Sequence, residues 1–337
     1  MAHVVPKEFG GVRARVQARD LCLIREQLAW GSALADNMFA VQALGSYPIV
    51  LAGSEEQKSR YIPPLAKGEA IAAFALTEPN AGSDVSSLET RAVRNGRGYR
   101  LKGVKHFISN AGIAQTYVVF ASTDPEKKGK GITAFIVEAG APGLILKEKT
   151  ALLSPHPIGV LSFEDCAVPE IQRLGGEGEG LKIALRTLDT LRCTVGAAAV
   201  GLAQRALDEA LRYSQSRRQF GRSLAEFQAT QIKLADMATD LEAARLLVYQ
   251  AARANDHGEE DLPLKSAMAK LFATEAAQKI VDQAVQIHGG IGVVSGNPVE
   301  RLYRDVRALR IYEGTSEIQK LIIARSLLSS SGVKREG

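Results

Sequence analysis

One residue that could do acid–base chemistry is Glu313, which lies in a turn between an aromatic residue and a glycine. Thr315 or Ser316 is expected to cap the helix that follows, and Ser316 with Gln319 fits a capping box. A helix N-terminus favours anions, and the carboxylate beside it would be partly removed from water. Most glutamates in turns do no chemistry, so at this stage Glu313 is a candidate base and no more.

Two sets of charged residues occur in a long helical stretch. Asp189 and Arg192 are three residues apart and therefore share a helix face. A surface ion pair is the usual outcome of such spacing. Arg217 and Arg218 come just before Gly221, at the predicted end of a helix. Cations in the last turn of a helix commonly stabilise its dipole. Anion binding is the less common alternative for these arginines.

Three further clusters could bind a planar or phosphorylated ligand. Residues 75–84 form a turn with hydroxyls and backbone N–H groups, although an ordinary turn has the same composition. Phe107 and Ser109 would lie on one face of a strand, able either to stack on a planar cofactor or simply to pack. Residues 286–292 run from a helix into glycines, which indicates a helix cap or close approach of a ligand.

The elements that must position these residues follow from the hydrophobic period. Residues 13–67 have a helical period, which Pro63-Pro64 and Gly68 are predicted to end. Residues 71–169 have short β-rich runs without intervening helices, which favours an antiparallel sheet. The glycine-rich segment 175–180 lacks a surrounding βαβ unit and is interpreted as a hinge rather than a dinucleotide site.

Beyond that hinge the helical period returns and predicts a bundle, so the architecture is α–β–α. The tail after Leu328 is expected to be frayed. The 337 residues are 46% apolar with a net charge of +5, which excludes disordered and fibrous classes. Three scattered cysteines support neither a disulfide framework nor a zinc site, and no signal peptide or membrane span is recognised. A soluble, cytoplasmic protein is expected.

Taken in order, these motifs resemble those of the acyl-CoA dehydrogenases, over a stretch from Val5 to Arg325. The resemblance implies an α+β fold with a shortened N-terminal helical domain (1–70), a middle antiparallel β domain (71–174) and a C-terminal four-helix bundle with the frayed tail (175–337). It also implies FAD bound without a Rossmann fold, which agrees with the missing dinucleotide fingerprint.

The resemblance assigns roles to particular residues. Phe107 and Ser109 would flank the isoalloxazine ring, with Ser109 near N5. The implied FAD-binding residues are Phe74, Leu76, Thr77, Ser83, Phe107, Ser109, Arg217, Gln228, Gln286, Gly290, Thr315 and Glu317. The implied substrate-binding residues are Ser83, Asp189, Arg192 and Gly314. Of the FAD-binding residues, four would reach the flavin of a neighbouring subunit, so a dimer or tetramer is implied: Arg217, Gln228, Gln286 and Gly290.

The implied reaction is α,β-dehydrogenation of an acyl-CoA or acyl carrier protein thioester, with an electron-transfer flavoprotein as acceptor. Glu313 matches the base of the Tyr-Glu-Gly-Thr type. The alternative base position of some relatives is occupied here by Leu191, which cannot take a proton.

Three departures leave the substrate open: the first helices of the family are missing, residues 151–157 replace a Leu-Gly-x-Arg stretch, and Phe107 stands where many relatives have Trp. One alternative is an oxidase or monooxygenase on the same scaffold. Another is a DNA-binding alkylation-response relative, with which a pI near 9.0 is compatible, although a mild positive charge is also expected of an enzyme that binds the polyanionic CoA. Nucleic acid is not the expected partner, because Lys334 and Arg335 alone make the tail basic.

Overall fold

The computed structural model describes residues 1–330, so Lys334 and Arg335 lie outside the described residues. The chain forms two compact units. The first contains Met1–Val16 and Asn37–Leu188, and the second contains Gln17–Asp36 and the chain from Asp189 onward.

The N-terminal region contains three helices: α1 (Ala18–Gly31), α2 (Ala33–Ala52) and α3 (Glu55–Lys67). The prediction that Pro63-Pro64 ends the helical region is wrong, because α3 continues through both prolines and stops at Gly68. The two carbonyls that lose their N–H donors belong to Ser59 and Arg60, which are exposed. Water can therefore replace the missing hydrogen bonds, and the cost of proline is reduced.

The first unit is built on an eight-stranded sheet. Its strands are β1 (Ala72–Ala75), β2 (Arg91–Asn95), β3 (Gly98–Ser109), β4 (Thr116–Ser122), β5 (Ile132–Glu138), β6 (Leu144–Lys149), β7 (Ile158–Pro169) and β8 (Arg173–Leu174). The strand order is β6-β7-β3-β2-β4-β5-β8, with β1 beside β4.

The expected antiparallel pairing describes most of this sheet but not all of it. β1 runs parallel to β4, and β2 meets β4 in parallel at one position, Arg91 opposite Ser122. β4 and β5 are buried along nearly their whole length, on both faces. Such strands are continuous apolar runs rather than alternating ones, since both faces are removed from water.

The rest of the chain is helical. A 37-residue helix, α4 (Gly180–Ser216), is followed by a small hairpin of β9 (Arg218–Gln219) and β10 (Arg222–Ser223). Four more helices complete it: α5 (Gln228–His257), α6 (Leu262–His288), α7 (Pro298–Val306) and α8 (Ser316–Ser330). The predicted fraying after Leu328 begins too early, because α8 continues to Ser330. The remaining tail lies outside the described residues.

The core of the second unit is rich in alanine, which allows its helices to approach closely. Gly201 of α4 is the tightest contact. A Cβ added there would lie 2.1 Å from the carbonyl oxygen of Glu26 on α1. A side chain is therefore excluded at this crossing, and α1 is fixed as part of the bundle.

Within residues 1–330, no helix is long and apolar enough to cross a membrane. The same residues contain no cluster of three or more His, Cys, Asp or Glu side chains able to hold a metal ion. All three cysteines are free and buried.

Candidate active site

Glu313 lies in a strained turn directly before α8. Its backbone is left-handed (φ 53°), and Gly314 follows with φ 90°. A Cβ at Gly314 would lie 2.6 Å from Nε2 of Gln319, so the Gln319 side chain would have to move to admit any other residue. Positive φ in a residue other than glycine is uncommon and costs free energy, which makes Glu313 a functional candidate on geometry alone.

The predicted cap is only half right. Thr315 caps α8, because its Oγ1 accepts the N–H of Ile318 at 3.3 Å. The capping box of Ser316 and Gln319 does not form. Ser316 donates to Glu275 Oε1 at 2.6 Å, and the Gln319 amide donates back to the Gly314 carbonyl at 2.9 Å. Both side chains stabilise the turn that carries Glu313 instead of capping the helix.

Glu313 is half-buried as a residue, but its carboxylate Oε2 is removed from solvent and has no hydrogen-bond partner among the described residues. Burial raises the pKa of Glu313 above its ordinary value of 4.5, while Arg25, Lys270 and Arg192 oppose that shift. A buried carboxylate with an unoccupied lone pair and a raised pKa has the properties of a general base.

Arg25 on α1 is the first of these cations. Its guanidinium binds Asp36 in a bidentate pair, with both N–O distances 2.8 Å, and donates to Thr194 Oγ1 at 2.9 Å. Burial lowers the pKa of Arg25, but the Asp36 carboxylate outweighs that effect and raises it. The group is therefore permanently charged. Sequence reasoning missed Arg25 because nothing local connects it to a turn so far along the chain.

Asp189 and Arg192 do share a face of α4 and form an ion pair of 2.5 Å. The surface ion pair considered above does not describe it, because the Arg192 side chain is only 5% exposed. Its Nε has no partner within the described residues. Arg192 thus lies inside the unit, close enough to lower the pKa of Glu313.

Lys270 on α6 is the third cation, and it was also missed. Its side chain is fully buried, and its Nζ donates to the Gly314 carbonyl at 2.8 Å. A lysine in an amphipathic helix is expected at the surface, so the sequence pattern carries no signal for this residue.

In the first unit, the turn after β1 holds several of the predicted flavin residues. Leu76 is buried, Phe74 and Thr77 are half-buried, and Ser83 is exposed. Beneath the turn, Nζ of Lys105 binds the Leu76 carbonyl at 3.0 Å. The turn is thus fixed by a buried side chain from β3.

Phe107 lies at an irregularity in the pairing of β3 with β7. Its backbone is left-handed (φ 54°), and its ring is 52% exposed. Ser109, two residues on, is half-buried, with Oγ 3.1 Å from Nε2 of His156. Burial lowers the pKa of His156. A solvent-facing aromatic ring next to a hydroxyl suits a planar heteroaromatic ligand.

The remaining predicted cofactor residues belong to the second unit, where all but the half-buried Thr315 are exposed: Arg217, Gln228, Gln286, Gly290 and Glu317. Around Gly290, no heavy atom lies within 4 Å of an added Cβ. The adjacent hairpin exposes 93% of Phe220, which sequence reasoning did not single out.

These donor sets fit FAD. The first unit offers an exposed aromatic ring and hydroxyls of the kind that an isoalloxazine ring uses. The second unit offers an exposed arginine and the N-terminus of α8, which suits a pyrophosphate. Fold and donor sets together define a flavin-dependent oxidoreductase of α–β–α architecture.

The comparisons identify the family. Models of the acyl-CoA dehydrogenase N-terminal, middle and C-terminal domains match residues 1–69, 73–166 and 178–328. The chain belongs to the acyl-CoA dehydrogenase family, and the expected fold class and enzyme class are confirmed.

Individual relatives agree with this. A probable acyl-CoA dehydrogenase of Mycobacterium tuberculosis is 44% identical over 326 residues, covering 96% of this chain and 83% of the relative. The solved butyryl-CoA dehydrogenase of Megasphaera elsdenii is 40% identical with a TM-score of 0.94, covering 97% of this chain and 86% of that one. The FAD complex of PigA is 35% identical with a TM-score of 0.91, covering 96% and 85%. The family relationship supports FAD as the cofactor.

Proposed function

We propose that this protein removes two hydrogens from the α and β carbons of an acyl-CoA, with Glu313 as the base. The carrying observation is the buried carboxylate whose Oε2 has no hydrogen-bond partner within the described part of the chain. Glu313 takes the α-proton, the thioester becomes a trans-2-enoyl thioester, and FAD, when bound, accepts the β-hydride. The proton on Glu313 then leaves to solvent.

The raised pKa of Glu313 favours this role, because a base is most effective when its pKa lies closer to the working pH. Leu191, at the alternative base position implied by the resemblance, is apolar and 3% exposed. No proton acceptor competes with Glu313 there.

The other proposed roles follow the resemblance. Ser83, Asp189, Arg192 and Gly314 are proposed to contact the substrate. Arg192 is only 5% exposed and paired with Asp189, but its Nε has no partner within the described residues and is the donor proposed for the substrate.

Substrate and acceptor are part of the same proposal. A short straight-chain acyl-CoA is proposed as the first substrate to test, since one solved relative is a butyryl-CoA dehydrogenase. An electron-transfer flavoprotein is the proposed acceptor, and a homodimer or homotetramer the proposed assembly.

The test is anaerobic titration of the FAD-loaded protein with straight and branched acyl-CoAs of increasing length. The flavin absorbance should bleach with at least one of them, and air should restore it slowly. The variant Glu313→Gln should retain FAD and bind the same thioester but bleach at least 100-fold more slowly. Bleaching within tenfold of the wild-type rate would reject Glu313 as the base. Rapid reoxidation by air with stoichiometric peroxide would instead indicate an oxidase.

A further inference from the structure

Lys270 is a buried cation that the proposed reaction does not use. It is fully buried on α6, and it makes no ion pair within 4 Å with any residue of the described chain. Burying an ammonium group without a paired carboxylate is costly, so such a residue is retained only where its charge or its hydrogen bonds are needed.

Within the described residues, the side chain of Lys270 makes one hydrogen bond, and it leads to the turn that carries Glu313. Nζ of Lys270 donates to the Gly314 carbonyl at 2.8 Å, and the Gln319 amide donates to the same oxygen at 2.9 Å. The Gln319 amide and the Lys270 ammonium therefore both hold the carbonyl of Gly314, the residue that follows Glu313. Because Glu313 and Gly314 are both left-handed, this turn would relax without those donors.

Its charge acts on the same base. Lys270 lowers the pKa of Glu313, and Glu313 in turn raises the pKa of Lys270, which burial brings down to about 8. The other groups facing Glu313 are Arg25 and Asp36, near one another on the N-terminal helices, and Arg192 on α4. Lys270 also faces two carboxylates of lower influence, Glu275 and Glu317.

We propose that Lys270 is a positioning residue for the base: it fixes the turn through the Gly314 carbonyl and keeps the Glu313 carboxylate ionised between turnovers. This rests on the proposed function of Glu313. The two effects are separable, because Gln319 shares the hydrogen bond to Gly314 but carries no charge. Four variants of the FAD-loaded protein distinguish them.

Lys270→Met removes the donor and the charge, whereas Lys270→Gln removes the charge and offers an amide donor in its place. Gln319→Leu removes the other donor and leaves the charge. Lys279→Met is the matched control, because Lys279 lies on the same helix but is exposed and paired with Asp240. The Gly314 carbonyl retains one donor in every variant, so none of them buries an unsatisfied carbonyl.

The first readout is titration of the Glu313 carboxyl by infrared spectroscopy, with the band assigned by its absence from Glu313→Gln. Both Lys270 variants should move this titration to higher pH, because the carboxylate has lost a neighbouring cation. Gln319→Leu and Lys279→Met should leave it in place. The proposal is overturned if the Lys270 variants titrate like the wild type, or if Lys279→Met shifts the titration as far as they do.

The second readout is kcat against pH. Lys270→Met should lower kcat at neutral pH about 10- to 100-fold, with partial recovery at higher pH where Glu313 ionises. Gln319→Leu should lower kcat by a factor that does not change with pH. If Lys270→Met does not fold, Lys270→Gln carries the same test of the charge. The infrared titration requires no turnover, so it still tests the coupling if Glu313→Gln shows that another group is the base.

Discussion

Replacing Lys105 should destabilise the turn that carries the proposed flavin residues. The loss in free energy of unfolding can be estimated from the contacts of Lys105. Lys105 is fully buried and binds Glu78 Oε1 at 2.7 Å as well as the Leu76 carbonyl. Burial lowers the pKa of Lys105 to about 8, which outweighs the opposing attraction of Glu78. The pKa of Glu78 is lowered, because the Lys105 charge and the hydrogen bonds to Glu78 outweigh its burial. Removing one partner alone would leave the other buried and unpaired.

Breaking a buried ion pair from one side costs about 3–5 kcal/mol. For Lys105→Met we expect a loss of about 3 kcal/mol in the free energy of unfolding, at the lower end of this range. Glu78 would retain the N–H donors of Glu89 at 2.5 Å and Thr90 at 3.1 Å. The double variant Lys105→Met/Glu78→Gln should recover more than about 1 kcal/mol, because the amide oxygen can still accept while the buried charge is gone.

The assay is urea unfolding of the FAD-loaded protein followed by far-UV circular dichroism, with Lys279→Met as control and the slope m compared between variants. A second check is pH. The unfolded chain binds more protons at Lys105 than the folded chain between pH 8 and 10.5, so wild-type stability should rise relative to Lys105→Met across that range. A loss below about 1 kcal/mol, or a double variant no more stable than the single one, would refute the reasoning.

Two further predictions concern the turn and the assembly. Gly314→Ala should lower the free energy of unfolding by at least about 1 kcal/mol and slow flavin bleaching, because φ is 90° there and the new Cβ would lie 2.6 Å from Nε2 of Gln319. Thermal unfolding and stopped-flow bleaching measure the two effects, and an unchanged bleaching rate would contradict the prediction. Arg217→Ala/Gln286→Ala should release FAD and weaken the oligomer together if these exposed residues serve a partner's flavin. Sedimentation with flavin absorbance checks that, and a monomer with stoichiometric FAD would contradict it.

The elements with strong local patterns were predictable from the sequence. The apolar runs Tyr117–Phe120 and Ile132–Val137 lie inside β4 and β5. The short polar segment 258–261 joins α5, which ends at His257, to α6, which begins at Leu262. Glu313 was a candidate from its neighbours alone, as a carboxylate between an aromatic residue and a glycine ahead of a helix cap, but only the resemblance to the family assigned it the role of base. These features depend only on neighbours along the chain.

Two of the three cations around Glu313, Arg25 and Lys270, could not be predicted, for a physical reason. Arg25 belongs to an N-terminal helix and Lys270 to α6, so the helix packing alone brings them to the base. On their own helices they have the pattern of ordinary solvent-facing cations. The prediction that Pro63-Pro64 ends the helix was wrong for a related reason. Whether a proline breaks a helix depends on whether the carbonyls that lose their donors face water.

The arrangement of these cations explains how a buried carboxylate can remain a usable base. Arg25 directs its guanidinium to a carboxylate on the next helix, Arg192 to a carboxylate one turn earlier, and Lys270 to a backbone carbonyl. Their charges oppose the rise in the pKa of Glu313, but their hydrogen bonds go elsewhere. If they donated directly to Oε2, the lone pair needed for the proton would be occupied. Without them, burial would raise the pKa of Glu313 further. A base of this kind requires cations close enough to act through their field and committed to other acceptors.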